Sequence, residues 1–121
     1  MANNFVHMEL NTTDPEKAKA FYGQLFPGWK LAGMQGAEDD YTLIAIENGV
    51  GGGIMKHPMP GAPSIWLPYI LVEDLAAETA KAQSLGGTLI KDVTEVPGMG
   101  SFSIILDPTG AAIGLWKPKM A

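Results

Sequence analysis

The chain has 121 residues, a formal net charge of −5 and no cysteine. That length suits one ordinary domain with a hydrophobic core of its own, and the missing thiols exclude disulfides, thiolate catalysis and sulfur-ligated metals. Every cationic side chain is a lysine, scattered from Lys17 to Lys119 with no arginine. This excludes a clustered phosphate-binding face and removes the bidentate clamp for an anionic substrate, so no nucleic acid partner is expected. No basic start leads into an apolar h-region, and the longest apolar runs are too short to span a bilayer. The expectation is a cytoplasmic protein with no membrane partner.

The first element is a strand over residues 5–11, in which Val6, Met8 and Leu10 alternate with His7, Glu9 and Asn11. Side chains of a strand point to opposite faces in turn, so one face is apolar and meets a helix while the other is polar. Asp14 suits the N-cap of that helix and Pro15 its first position. Ala18, Phe21, Tyr22 and Leu25 then share one face, and Pro27-Gly28 ends the helix. Strands are expected over 29–35, 41–46 and 50–56, parted by the turn formers at 36–40 and 48–49. The proline-rich stretch His57-Pro-Met-Pro-Gly-Ala-Pro63 reads as a stiff connector.

The second half repeats this order: a strand over 66–73, an Asp74 cap, a helix to Leu85 stopped by Gly86-Gly87, and strands over 88–93, 101–106 and 111–117. Laid on each other, the halves match Asp14 with Asp74, Leu25 with Leu85, Tyr41 with Phe102, Asn48-Gly49 with Thr109-Gly110, and Ile54-Met55 with Leu115-Trp116. Two copies of this size indicate a duplicated domain, not a solenoid. The predicted fold class is α+β: two βαβββ modules, about residues 4–56 and 66–118 with a connector over 57–65. They form curved mixed sheets around a central cup, with the helices outside.

The stretch from His7-Met-Glu-Leu-Asn through Asp14-Pro15 to Phe21-Tyr22, with Val72-Glu-Asp74, Leu85-Gly-Gly87, Val96-Pro-Gly98 and Asp107-Pro-Thr-Gly110, resembles the vicinal oxygen chelate superfamily. This is the glyoxalase, bleomycin-resistance and extradiol-dioxygenase group, and the likeness is greatest to its glyoxalase-like subgroup. It covers nearly the whole chain. The resemblance implies a cupped sheet with four metal-ligand positions, one on the first and one on the last strand of each module. These fall on His7, Gly53, Leu67 and Gly114, with Pro68 in place of Leu67 if the alignment slips by one. His7 alone of these can bind a metal. A catalytic zinc site takes about three protein ligands, and a non-haem iron site two histidines and a carboxylate. A divalent metal is therefore disfavoured and no cofactor is expected. The resemblance also implies a homodimer, since the family often pairs modules across chains.

His7 and Glu9 share a strand face about 7 Å apart. A histidine beside a carboxylate suits a general base, and the plainer alternative is a hydrogen-bonded pair in a polar cavity. Tyr69 takes the place in the second half that Glu9 takes in the first, and Trp116 lies two residues beyond Gly114. Both are expected to face the cup, as pocket walls or as core. The run Val50-Gly51-Gly52-Gly53 precedes a strand and lacks the Gly-Lys-Ser/Thr of a phosphate loop, which points to close strand packing. Glu38-Asp39-Asp40 reads as a solvated turn, His57 as a surface histidine, and Asn11-Thr12-Thr13 as a glycosylation pattern expected to have no consequence, since no secretion signal is seen.

The leading functional expectation is a glyoxalase-like or bleomycin-resistance-like protein that binds a small, partly apolar molecule without the usual metal, lined by Phe5, His7, Glu9, Tyr69, Phe102 and Trp116. One alternative is a lyase or isomerase using His7 with Glu9 as acid and base, or His7 as a metal ligand. A regulatory or interaction module is the other.

Overall fold

The computed structural model describes residues 2–34 and 41–119. The Glu38-Asp39-Asp40 turn and the end of the strand expected over 29–35 lie outside the described residues. The chain is α+β and runs twice through the order βαβββ: β1 (Phe5–Thr12), α1 (Pro15–Leu25), β2 (Lys30–Gly33), β3 (Thr42–Ala45) and β4 (Gly52–Lys56), then β5 (Ile65–Leu71), α2 (Leu75–Ser84), β6 (Thr88–Val96), β7 (Gly100–Leu106) and β8 (Ala112–Pro118). It divides into two compact units, one of His7–Leu67 and one of Met1–Val6 with Pro68–Ala121.

In the unit of His7–Leu67 the strands lie in the order β2-β3-β4-β1. β2, β3 and β4 are antiparallel, and β4 runs parallel to β1 with Met8 opposite Gly52 and Thr12 opposite Lys56. A parallel pair cannot be joined by a hairpin, and α1, β2 and β3 supply the crossover. The helix starts where the sequence says it should: the Asp14 carboxylate accepts the Lys17 N–H at 3.1 Å, and Pro15 follows at the first helical position.

The helix face that meets the sheet is narrower than expected. Ala18 and Tyr22 pack on Leu10, Ile44 and Ile54, whereas Phe21 is 58% and Leu25 52% exposed. At 100° per residue Phe21 is rotated a full quarter turn from Tyr22, and Leu25 sits in the last turn of the helix. Tyr22 instead organises an aromatic cluster, stacked on Trp29 with ring centroids at 5.8 Å and edge-on to Trp66 at 5.5 Å.

Toward the end of β1 the polar face is buried as deeply as the apolar one: Glu9 and Asn11 on the first are as covered as Leu10 and Thr12 on the second. Buried polar groups need partners: the Tyr41 hydroxyl donates to Glu9, and the Ser64 hydroxyl to Thr12 at 3.3 Å.

In the other unit the order is β5-β8-β7-β6. β5 is parallel to β8 with Tyr69 opposite Gly114, and β8, β7 and β6 are antiparallel. The Asp74 carboxylate caps α2 by accepting the Ala77 N–H at 3.0 Å. Gly86, at φ 99°, takes the left-handed conformation that lets the Gly87 N–H return to the Ala82 carbonyl at 2.9 Å. Val72, Leu75 and Leu115 form the apolar core with Ile70 against them. Two register shifts in the β6–β7 ladder carry β6 on to Val96, past the expected end at residue 93. Asp107 builds the turn before β8, its carboxylate accepting the Thr109 hydroxyl and the Thr109 and Ala111 N–H groups. These donors, the Thr109 hydroxyl foremost, hold the Asp107 carboxyl below its ordinary range.

Candidate functional site

Strand register settles which positions correspond. Glu9 stands opposite Gly53 on the first and last strands of one module, and Tyr69 opposite Gly114 in the same places of the other. The sequence matching of Glu9 with Tyr69 and of Ile54 with Leu115 follows directly.

The glycines at 53 and 114 are not empty places. A Cβ built on Gly53 would run into the hydroxyl and ring of Tyr41, and one built on Gly114 would run into the ring of Tyr69. Each module has therefore closed the last-strand position with a phenol in place of that position's own side chain.

In the unit of His7–Leu67 the phenol does more than fill space. The Tyr41 hydroxyl lies 2.8 Å from His7 Nε2 and donates to Glu9 Oε2 at 2.9 Å, so one oxygen joins two side chains that β1 sets two residues apart. The imidazole and phenol rings are nearly parallel, with centroids 6.5 Å apart. Glu9 is 8% exposed, and His7 and Tyr41 are half-buried. Burial pushes the His7 imidazole below its ordinary pKa, because removing water penalises the charged form. At neutral pH His7 is a neutral imidazole, with one nitrogen protonated and the other basic.

The other predicted residues fall as follows. Tyr69 is buried, with its ring over Gly114 and its edge toward Phe102 at a centroid distance of 6.1 Å. Trp116 is half-buried opposite Phe102. These three belong to the unit of Pro68–Ala121, as does Phe5, which is 59% exposed. Leu67 is buried as core. His57 is half-buried, not a free surface residue, and its Nδ1 accepts the Met59 N–H at 3.1 Å in the connector turn.

Two features escaped the sequence reading. Tyr41, which the repeat matches to Phe102, also joins His7 to Glu9; the signal for this is a tyrosine whose neighbouring strand opens with two glycines, the second of which leaves room for its ring. The second feature is a shallow apolar cavity of about 220 Å³ walled by Met8, Trp29, Ile44, Val50 and Trp66. Because Met8 alternates with His7 and Glu9 along β1, it opens on the opposite face of that strand.

The metal positions implied by the resemblance can be tested on these contacts. Gly53 and Gly114 carry no donor and their places are taken by rings, Leu67 is apolar, and His7 Nε2 is engaged by Tyr41. Among the described residues no three of His, Cys, Asp or Glu are grouped to share an ion. The residues do not fit the ligand set.

The model of the Glyoxalase/Bleomycin resistance protein/Dioxygenase superfamily matches residues 4–115, and the chain belongs to that family. It is 36% identical over 111 residues to "Putative glyoxylase CFP32" of Mycobacterium bovis, covering 91% of this chain and 42% of the relative. It is 25% identical over 124 residues to the anthracycline biosynthesis protein DnrV of Streptomyces peucetius, covering 90% of this chain and 45% of that one. The chain thus spans less than half the length of these curated relatives. Among solved structures, methylmalonyl-CoA epimerase from Mycobacterium tuberculosis shares the fold with a TM-score of 0.73 at 16% identity, covering 96% of this chain and 88% of that one. The Mn(II)-bound glyoxalase from Novosphingobium aromaticivorans does so at 0.65 and 13%, covering 95% and 38%. No helix among the described residues is long and apolar enough to cross a membrane.

Proposed function

We propose that this protein binds a small, uncharged, partly apolar molecule at the His7–Tyr41–Glu9 face without a metal. The observation that carries this reading is the Tyr41 phenol lying where a side chain at position 53 would begin. A phenol, a neutral imidazole and a carboxylate offer hydrogen bonds to a polar tip such as a carbonyl or hydroxyl. With no arginine in the chain and Glu9 at the site, the bidentate clamp that would hold an anionic ligand is missing. A relative named for anthracycline biosynthesis is in keeping with a flat, largely apolar ligand.

A second reading is favoured by the same oxygen. His7, neutral and joined to Glu9 through Tyr41, is equipped to take a proton from a bound molecule, as a lyase or isomerase requires. A relative carrying the name glyoxylase supports this class.

Metal analysis of untagged protein, followed by titration with Zn, Ni, Mn and Fe(II) against wild type and His7→Ala, tests the metal-free part. No stoichiometric binding is expected. Binding that is lost in His7→Ala would sink the proposal and point to a metal-dependent enzyme. A fragment screen by NMR then tests the site: hits should perturb His7 and Tyr41 and lose affinity in Tyr41→Ala.

A further inference from the structure

In the unit of His7–Leu67 the apolar face of the sheet runs further than α1 covers it. Leu10, Ile44 and Ile54 meet Ala18 and Tyr22 of the helix, and two residues away along each segment, on the same side, stand Met8, Ile46 and Gly52. These three open on the cavity of about 220 Å³, and no residue of α1 is among its walls. The floor is low there because β4 approaches β1 closely at Gly52, where a Cβ would strike the Met8 backbone. The strand brings no side chain to that place.

Two indoles wall this cavity: the rings of Trp29 and Trp66 stand at 85° to each other with centroids 6.4 Å apart. Tyr22 braces both, stacked on the first and edge-on to the second, and Phe26 lies against Trp29 at a centroid distance of 4.8 Å. Walls held by other rings need little ordering when a guest arrives. A planar ring can stack on one indole and turn its edge to the other, the two arrangements that aromatic pairs prefer. None of the lining side chains carries a charge, so the guest that suits them is neutral. An apolar cavity of about 150 Å³ holds benzene, so the volume here takes one six-membered ring with a short substituent.

We infer that this cavity is a second ligand site, on the opposite face of β1 from His7 and Glu9, and that it takes a neutral molecule carrying one aromatic ring. Met8 stands between His7 and Glu9 in the chain but points the other way, so the two sites share a strand and no side chain. Val50, 41% exposed, forms part of the cavity's edge and leaves it open to solvent. A molecule can therefore enter here whether or not one binds at the His7 face.

The test is 19F NMR on the full chain labelled with 5-fluorotryptophan, whose three signals, from Trp29, Trp66 and Trp116, are assigned by single Trp→Phe variants. Benzyl alcohol should shift the Trp29 and Trp66 signals to saturation and leave Trp116 in place. It should bind about three to ten times more tightly than cyclohexylmethanol, the worth of one aromatic pair. Val50→Phe, which sets a ring at the cavity's edge, should weaken benzyl alcohol by a similar factor; Tyr41→Phe, on the other face of the sheet, should not. Signals that move in proportion to added alcohol without saturating, a Trp116 signal that moves with the others, equal binding of cyclohexylmethanol, or saturation by tetramethylammonium in place of benzyl alcohol would each overturn the inference. So would Trp29 and Trp66 signals that follow protein concentration before any probe is added, which would assign this face to a second copy of the chain. If Val50→Phe fails to fold, the contrast between the two alcohols and the silence of Trp116 decide it.

Discussion

The hydroxyl of Tyr41 stands where a side chain at position 53 would begin, and the ring of Tyr69 stands over Gly114 in the same way. Each tyrosine needs its glycine, because interiors pack too densely to hold a phenol and a second side chain in one place. Residues 53 and 114 are the last-strand positions where the resemblance implied a metal ligand. In both modules a tyrosine ring takes the space of a side chain at that position.

That mutual dependence is measurable. Gly53→Ala should destabilise the protein by about 1–3 kcal/mol, the usual cost of forcing an extra group into a packed site. In a Tyr41→Ala background the added methyl group meets no ring, so the double variant should lose less than the sum of the singles. Urea unfolding of the four proteins gives the coupling; strict additivity would show that the ring and the glycine do not share the space.

Tyr41→Phe keeps the ring and removes the hydroxyl, which takes one donor from a carboxylate that is 8% exposed. The expected cost is about 1–3 kcal/mol, set by the desolvated group left short of a partner. Glu9→Gln in that background should recover part of it, since a neutral amide is less costly to bury than a charge. A Tyr41→Phe protein as stable as wild type would mean that water replaces the phenol.

Stability should also depend on the ionisation of His7, whose folded pKa lies below the ordinary 6.5 because it is desolvated. Above that value the imidazole is neutral in folded and unfolded chains, and the full stability is present. As pH falls below it, the unfolded chain takes up a proton first, so stability declines until the lowered folded pKa is reached. Urea midpoints from pH 7.5 to pH 5 should therefore fall more steeply in wild type than in His7→Gln. Equal slopes would place His7 in water.

Both helices should depend on their caps. Asp14→Ala and Asp74→Ala each remove an acceptor from the first turn, and each should cost about 0.5–2 kcal/mol, with asparagine restoring most of it. Thermal melts followed by circular dichroism read the difference. A silent Asp14→Ala would mean that Pro15 and packing suffice to start α1.

Much of this protein was legible in its residues because the signals are local. The Asp14 and Asp74 caps, the Gly86 stop and the Asp107 turn each depend on atoms within four residues, so spacing alone reveals them. Duplication made the module order readable, and the register of Glu9 with Gly53 and of Tyr69 with Gly114 bears it out. Alternation on β1 misled where burial was concerned: it assigns faces correctly, but it cannot show that Glu9 and Asn11 are also covered. Helical spacing likewise grouped Phe21 and Leu25 with Ala18, although only Ala18 and Tyr22 reach the sheet.

By itself the sequence determined the α+β class, the two βαβββ modules, the caps and turns, and the lack of donors at Gly53, Leu67 and Gly114. These follow from local backbone chemistry and from which atoms a side chain possesses. Only the tertiary structure decided that Tyr41, 32 residues from Glu9 and 34 from His7, supplies the oxygen that joins them. A glycine records that a side chain is missing. What occupies the space is set by the neighbouring strand, and strand pairing is a long-range choice that no local pattern encodes.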